Sequence, residues 1–530
     1  MPVTRSTMKR RITYFQAPNA PFEQDQVVLT SKNLVIRDLD AARENRITFG
    51  LEDLPEELRD VLKQSHELHL RWATERPYIA IAPFASRVSP GLHVHYTPLK
   101  KDLSSEALCS VLHTIFGEKV NCSKPEDSFI TPPALSTRFA ASASLQYWSR
   151  LPSLQALVSF IQNTACRQLK TGSAECHENS NSLLSADAVD IDYNSISSTV
   201  TVTGLWASPP SGGWTEDIQK PVSSADKIEF GLLTAEKDAA APEDVKMGGL
   251  LAVVGSDKTL KPTMFSFPSR HHALPATASY TVSFNHPTGL HPTMSISLPS
   301  SALERPPAPD GTKCALHTYL TLPSSIFGDQ YQLGTTDPLF RELHNLAALH
   351  SFSGETDLEA PDWVVQRWGS NWLFELAAPA LESSPAVSNW TATIPLHLRY
   401  LPPSESGYQT ANVPWPVVFW ACTMDDGTKM GVNPFDRTNL GWDGLFGPRT
   451  MFYQLHPSSD KLVEELEVPV LQLKGGNSIF QARNIELATC AAITLGFLWV
   501  LWRLLRVAWS SGIREDKSRS SKESHDKKED

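Results

Sequence analysis

Residues 487–502 read LATCAAITLGFLWVLW, sixteen consecutive residues without a charge. As a helix rising about 1.5 Å per residue they cover about 24 Å, slightly less than the ~30 Å hydrocarbon core of a bilayer. Continuing through Arg503, Leu504, Leu505, Arg506, Val507, Ala508 and Trp509 supplies the missing length. The two arginines can snorkel to the headgroups, and Trp499, Trp502 and Trp509 suit an interfacial belt. Nothing else in the chain is as apolar for as long. The segment, residues 485–509, is therefore read as one transmembrane helix, and everything before it as a body on one side of a membrane.

The side decides the function. The start, MPVTRSTMKRRITYFQAPNAP, has basic residues but no apolar signal core, which by itself favours the cytosol. Three features argue for the lumen. Arg503, Arg506, Arg514, Lys517, Arg519 and Lys522 follow the span closely, whereas the preceding flank sets Lys474 and Arg483 beside Glu464, Glu465, Glu467 and Glu486. The positive-inside bias then puts the tail, residues 510–530, in the cytosol. The last residues, Lys527-Lys528-Glu529-Asp530, resemble the dilysine retrieval signal of endoplasmic reticulum membrane proteins, which works from the cytosol. Asn121-Cys122-Ser123 and Asn389-Trp390-Thr391 are N-glycosylation sequons, acceptors only in a lumenal body. Within the span, Ala488, Ala492 and Gly496 recur at four-residue spacing, a face on which a second membrane helix can approach closely.

The 530 residues predict roughly three soluble domains besides the span. With 41% hydrophobic and 20% charged residues the chain can build real cores. A net charge of −11 argues against nucleic acid as a partner. Proline (39) outnumbers glycine (27), which suits short strands joined by turns rather than long helices. Of seven cysteines, Cys490 lies in the span. The others fall in sequential pairs: Cys109 with Cys122, Cys166 with Cys176, Cys314 with Cys422. Six cysteines allow about 15 connectivities; within-pair disulfides are the reading adopted, with buried free thiols as the alternative.

Periodicity divides the body into three stretches. Residues 1–128 are expected to form a mixed, β-rich domain. Pro55 opens a helix with Leu54, Leu58, Val61 and Leu62 on one stripe, Leu68, Leu70 and Trp72 alternate, Leu92, Val94 and Tyr96 alternate, and a second helix runs over 104–116. Residues 129–270 form a middle domain: a helix at 154–169, serine-rich loops such as SAECHENSNSLLS, and strands at 199–206, 228–233 and 250–254. Residues 271–475 have the cleanest alternation, at Tyr280, Val282 and Phe284, at Met294, Ile296 and Leu298, and at Leu396, Leu398 and Tyr400. The fold class expected is mainly β (α+β): lumenal antiparallel sandwich-like domains with a few helices, plus the one C-terminal transmembrane helix.

Enzyme signatures are missing from the sequence. There is no Gly-x-Gly-x-x-Gly, Walker A, Gly-x-Ser-x-Gly or His-Glu-x-x-His motif. Asp38-Leu39-Asp40 and Asp190-Ile191-Asp192 match the spacing that some glycosyltransferases use for a metal-bound sugar nucleotide, but turn and surface acids share it. His66 and His69 are predicted on opposite strand faces, and His93 with His95 lacks a third ligand. Residues 424–448, MDDGTKMGVNPFDRTNLGWDGLFGP, set Asp425, Asp426, Asp436 and Asp443 among glycines and aromatics. Glycine beside tryptophan and phenylalanine builds contact surfaces, so this is read as a binding loop rather than an acid–base site.

One group of residues is distinctive: Gly328-Asp329-Gln330-Tyr331-Gln332-Leu333, Pro395-Leu396-His397-Leu398-Arg399-Tyr400, Pro414-Trp415-Pro416 and Phe419-Trp420-Ala421-Cys422, followed by a single span. They resemble the PIG-X family, and the layout is similar to its longer fungal member. The resemblance implies an endoplasmic reticulum glycoprotein without a cleaved signal. It further implies an accessory subunit of glycosylphosphatidylinositol mannosyltransferase I, stabilising a multi-spanning catalytic subunit that adds the first mannose from dolichol-phosphate mannose. A second role in the folding of other lumenal proteins goes with it. No catalytic, cofactor or metal residue is expected. Partner contacts are expected at His397, Arg399, Tyr400, Gly441, Trp442, Gly444 and Gly447, membrane packing at Ala488, Ala492 and Gly496, and retrieval at Lys527 and Lys528. The alternatives are a general lumenal folding factor and a lumenal hydrolase using the acidic loop.

Overall fold

Period-two alternation builds most of the body. In the strand Ser65–Ala73, Leu68, Leu70 and Trp72 are buried while Glu67, His69 and Arg71 stay half-buried. It lies in a ten-stranded sheet whose strands run, from edge to edge, Lys261–Pro268, Asp244–Val253, Lys227–Ala235, Lys9–Gln16, Ala42–Gly50, Thr199–Trp206, Ala188–Asn194, Ser65–Ala73, Gly91–Pro98 and Leu145–Ser149. All neighbours are antiparallel except Lys9–Gln16, which pairs in parallel with Lys227–Ala235. The architecture is a computed structural model describing residues 7–523, apart from 19, 21–22, 24, 101–105, 133–143, 169–172, 237–240, 242, 286–288, 356, 380–388, 426–432, 436–440 and 474–481.

The expected boundary at residue 128 is corrected by this sheet, which interleaves strands from both sides of it. Ile12 and Tyr14 are completely buried, and burying them requires a covered, centrally placed strand; its second neighbour comes from residues 227–235. Two cores pack side by side on one face of the sheet, with Trp214 against both. In one, Leu108, Leu112, Leu157 and Val158 from the helices Glu106–Phe116 and Gln155–Thr164 pack on Leu70, Trp72, Val94 and Tyr96. In the other, a three-stranded sheet (Val27–Leu29, Asn33–Leu39, Trp214–Gln219) sets Leu34, Ile36 and Ile218 against Ile12, Tyr14 and Phe230.

The serine-rich stretch expected to be a loop is instead the helix Ser173–Ser182. The Cys166–Cys176 disulfide fastens it to the preceding turn, and the Gln162 amide donates to Ser180 and Asn181. Here tertiary tethers override weak propensity. Disulfides also join Cys109 to Cys122 and Cys314 to Cys422.

From residue 271 the chain forms a six-stranded sheet, in the order His271–Ala273, Thr450–Gln454, Val417–Thr423, Lys313–Pro323, Gly369–Leu376 and Leu346–Gly354. A four-stranded sheet of Asn389–Pro395, Thr293–Pro299, Ser279–Phe284 and His456–Pro457 accompanies it. The two meet where the Tyr280 ring packs on Trp415 at 5.8 Å and the Trp420 indole donates to the Ala302 carbonyl. The ten- and six-stranded sheets meet around Gln146. Its carbonyl accepts from Trp368 at 2.9 Å, and its side-chain oxygen accepts from Asn371 at 3.0 Å.

Residues 401–410 and 467–530 form a separate unit. Ser404 N–H donates to the Leu471 carbonyl and Val470 N–H to that of Gly407. The long helix Ala482–Glu523 follows, and its stretch Arg483–Trp509 is 27 residues, long and apolar enough to cross a membrane. None of that stretch is buried, as for a helix whose solvent is lipid or another helix. Cys490 on it is a free, exposed thiol.

Candidate partner-docking site

The strand Asn389–Pro395 continues past its proline into a short pair, His397–Leu398 against Ile326–Phe327. Leu396 and Leu398 point into the core, as their alternation requires. Arg399 closes the segment in an unexpected way. Its side chain is 3% exposed, lies 4.3 Å over the Phe327 ring, and donates through Nη1 to the carbonyls of Asp357 and Ala360. Burial pulls its pKa down, and the acidic groups of Glu355, Asp357 and Asp362 oppose that shift. From the other side, Asp362 N–H donates to the Tyr400 carbonyl at 3.0 Å.

These bonds clamp the turn around Pro361 to the strand end, and the 3₁₀ turn Asp362–Val364 presents what it carries. Trp363 and Val364 are each 59% exposed, and Tyr400 beside them is 65% exposed. Tryptophan and tyrosine held on a rigid backbone are the side chains that anchor protein–protein contacts. Trp363 and Val364 were not singled out from the sequence. Their signal was two large apolar residues directly after a Pro-Asp turn, ambiguous because the stretch 363–376 fits a helix or a strand. His397 is half-buried, its Nδ1 3.0 Å from that of His291. Tyr331, Leu339 and Leu343 are further exposed apolar residues, the last two on the helix Pro338–His344, capped by Asp337.

Two expected contact residues are corrected. Arg399 is a buried clamp, not a surface group. Trp442 is fully buried: it packs 4.4 Å from Phe419 and donates to the Arg87 carbonyl, because its indole fills the space between strands. Around it, Arg270 Nη2 donates to the carbonyls of Asp443 and Gly447, each at 3.1 Å. Gly441 has φ +96°, and a Cβ there would meet Gln146 Nε2 at 3.0 Å, so its glycine serves close packing inside the body. Gly444 and Gly447 are exposed.

The acids do not form one constellation. Asp425 is exposed and pairs with Lys313 at 3.2 Å, whereas Asp443 is fully buried, 3.5 Å from His271; Asp426 and Asp436 lie outside the described residues. Asp190 and Asp192 are engaged across the sheet, by a bidentate Arg71 and by His69. His93 is buried, donating through Nε2 to the Ser89 carbonyl at 2.7 Å. Asn121 and Asn389 are both exposed. Ala488, Ala492 and Gly496 are exposed, and nothing lies within 4 Å of a Cβ built on Gly496. Lys527 and Lys528 fall outside the described residues.

Comparison with known proteins gives a consistent picture. The profile of the family described as PIG-X / PBN1 matches residues 287–505. Protein pbn1 of Aspergillus oryzae is 58% identical over 98% of this chain and 100% of its own length. Protein pbn1 of Neurospora crassa is 38% identical over 97% of this chain and 98% of its own, and Protein PBN1 of Yarrowia lipolytica 26% identical over 93% and 95%.

Proposed function

Since the chain belongs to the PIG-X / PBN1 family, we propose that it is a non-catalytic accessory subunit of glycosylphosphatidylinositol-anchor biosynthesis, held in the endoplasmic reticulum membrane by the span Arg483–Trp509. Its partner is the multi-spanning catalytic subunit of mannosyltransferase I, whose lumenal loops this body holds in a folded state. The first mannose is then transferred from dolichol-phosphate mannose by the partner. A chaperone-like role toward other lumenal proteins is compatible with the same surface. Residues 1–270 brace the docking sheets as one unit with residues 271–400 and 411–466.

The observation that carries this reading is the clamped turn. Arg399, within the family-like His-Leu-Arg-Tyr segment, is buried in order to hold a turn whose exposed side chains are Trp363, Val364 and, alongside, Tyr400. The occupant is taken to be a lumenal loop of the catalytic subunit, the partner that the family resemblance implies. The lumenal side is supported by the exposed sequon asparagines Asn121 and Asn389 and by three disulfides, which persist in oxidising compartments.

The test is the Trp363→Ser/Tyr400→Ser double variant. Both side chains are mostly exposed, so the body keeps its stability within about 0.5 kcal/mol per site. The steady-state level of the catalytic subunit should fall several-fold, and anchor precursors lacking mannose should accumulate. Unchanged partner levels with a normally folded variant would refute the docking site.

A further inference from the structure

His317, His350 and Glu375 lie on three neighbouring strands of the six-stranded sheet: Lys313–Pro323, Leu346–Gly354 and Gly369–Leu376. Antiparallel register sets His317 directly opposite Glu375, so both side chains occupy one face. His350 enters through a β-bulge. Leu349 pairs with Phe374 and Ser351 with Leu373, which leaves His350 as the extra residue. Bulges re-aim side chains in this manner. One donor atom from each of the three residues lies within 4.8 Å of the other two. His350 Nε2 is 2.7 Å from Glu375 Oε2, and the two imidazole centroids are 5.3 Å apart.

We propose that His317, His350 and Glu375 form a binding site for a divalent metal ion of the zinc class. Two imidazoles and a carboxylate are a donor set that zinc takes at about 2.0–2.2 Å, with the fourth position left for water or another ligand. The trio contains no thiolate, which disfavours soft Cu(I).

His317 is prepared for the role. Its Nδ1–H donates to the Ala315 carbonyl at 2.9 Å, which leaves the lone pair on Nε2. Metal-binding histidines are commonly oriented by such a bond. Phe419 stacks on the ring at 5.7 Å and Phe446 meets it edge-on at 5.1 Å, so it has an apolar wall. Burial pushes its pKa down to about 4, keeping it in the neutral form that ligates. The His350 and Glu375 side chains are 40% and 31% exposed, which gives solvent access and freedom to adjust. Tetrahedral coordination needs donor atoms roughly 3.3 Å apart, so the 2.7 Å pair must open slightly and the longer separations close, adjustments within reach of rotamer changes in these two. A bound ion would fasten the edge strand Leu346–Gly354 to the two strands inside it.

The test uses the full chain purified in mild detergent, stripped by a chelator, then titrated with Zn²⁺ by calorimetry and with Co²⁺ by visible spectroscopy. One equivalent is expected to bind, with a rise in thermal midpoint and intense Co²⁺ bands of low coordination number. His350→Ala and Glu375→Gln should each weaken binding at least tenfold, since losing only an outer-shell partner typically costs about 10–100-fold. Equal midpoints of variants and wild type in chelator would show that both variants fold. Zinc binding by the wild type only above millimolar concentrations would overturn the assignment. So would a His350→Ala/Glu375→Gln double variant that binds like the wild type, for instance through the His291–His397 pair. Either failure leaves the docking reading untouched.

Discussion

His93 illustrates how much a polar side chain's position outweighs its chemistry here. Alternation of Leu92, Val94 and Tyr96 leaves His93 and His95 on the other face of the strand, where a half-buried strand meets solvent. Instead His93 is 2% exposed, and burial pushes its pKa down to about 4, the bond to the Ser89 carbonyl opposing only part of the shift. An unfolded histidine titrates near 6.5. Between those values the unfolded state binds the extra proton, so stability rises with pH across that window. The contribution is fully present above about 6.5 and is lost as pH falls toward 4. His93 alone should make the body about 2 kcal/mol less stable at pH 5 than at pH 7. Urea unfolding at the two pH values measures this, and a folded His93→Gln variant should lose that part of the difference. Arg399 and Trp442 teach the same lesson: basic and aromatic residues in a distinctive motif read as contact groups, and both prove to be internal supports for neighbouring exposed residues.

At the level of elements, alternation and apolar stripes were readable wherever one face meets a core. Tyr280, Val282 and Phe284, and Met294, Ile296 and Leu298, pair as the antiparallel strands Ser279–Phe284 and Thr293–Pro299. The stripe with Val61 and Leu62 buried is the helix Glu56–Lys63. What period cannot convey is which distant strand completes a sheet. The parallel pairing of Lys9–Gln16 with Lys227–Ala235 and the convergence of His317, His350 and Glu375 depend on register across long sequence separations. The helix Ser173–Ser182 was hidden because its residues favour turns and a disulfide tether decides its form. The span was legible from composition alone, since lipid demands it. On the face of Ala488, Ala492 and Gly496, all exposed, nothing lies within 4 Å of a Cβ built on Gly496. Replacing Ala492 and Gly496 together with leucine should leave insertion intact and lower the catalytic subunit's abundance several-fold, as read by quantitative immunoblotting. Unchanged abundance would discard helix packing as a contact.

At the scale of the whole molecule, several charged side chains are committed to internal bonds, such as Arg71 with Asp190, Arg150 with Glu75 and Arg270 with the carbonyls of Asp443 and Gly447. The molecule also offers apolar anchors at the surface, and an apolar helix whose stretch Arg483–Trp509 is not buried. That organisation suits the accessory role proposed above. The most direct measurement is a mild-detergent pull-down of the full chain with quantitative mass spectrometry. One multi-spanning mannosyltransferase subunit should be recovered in roughly equimolar amount, on a bait that glycosidase treatment shows to be glycosylated. Recovery of many substoichiometric clients with no such subunit, or a bait carrying no glycan, would contradict the account.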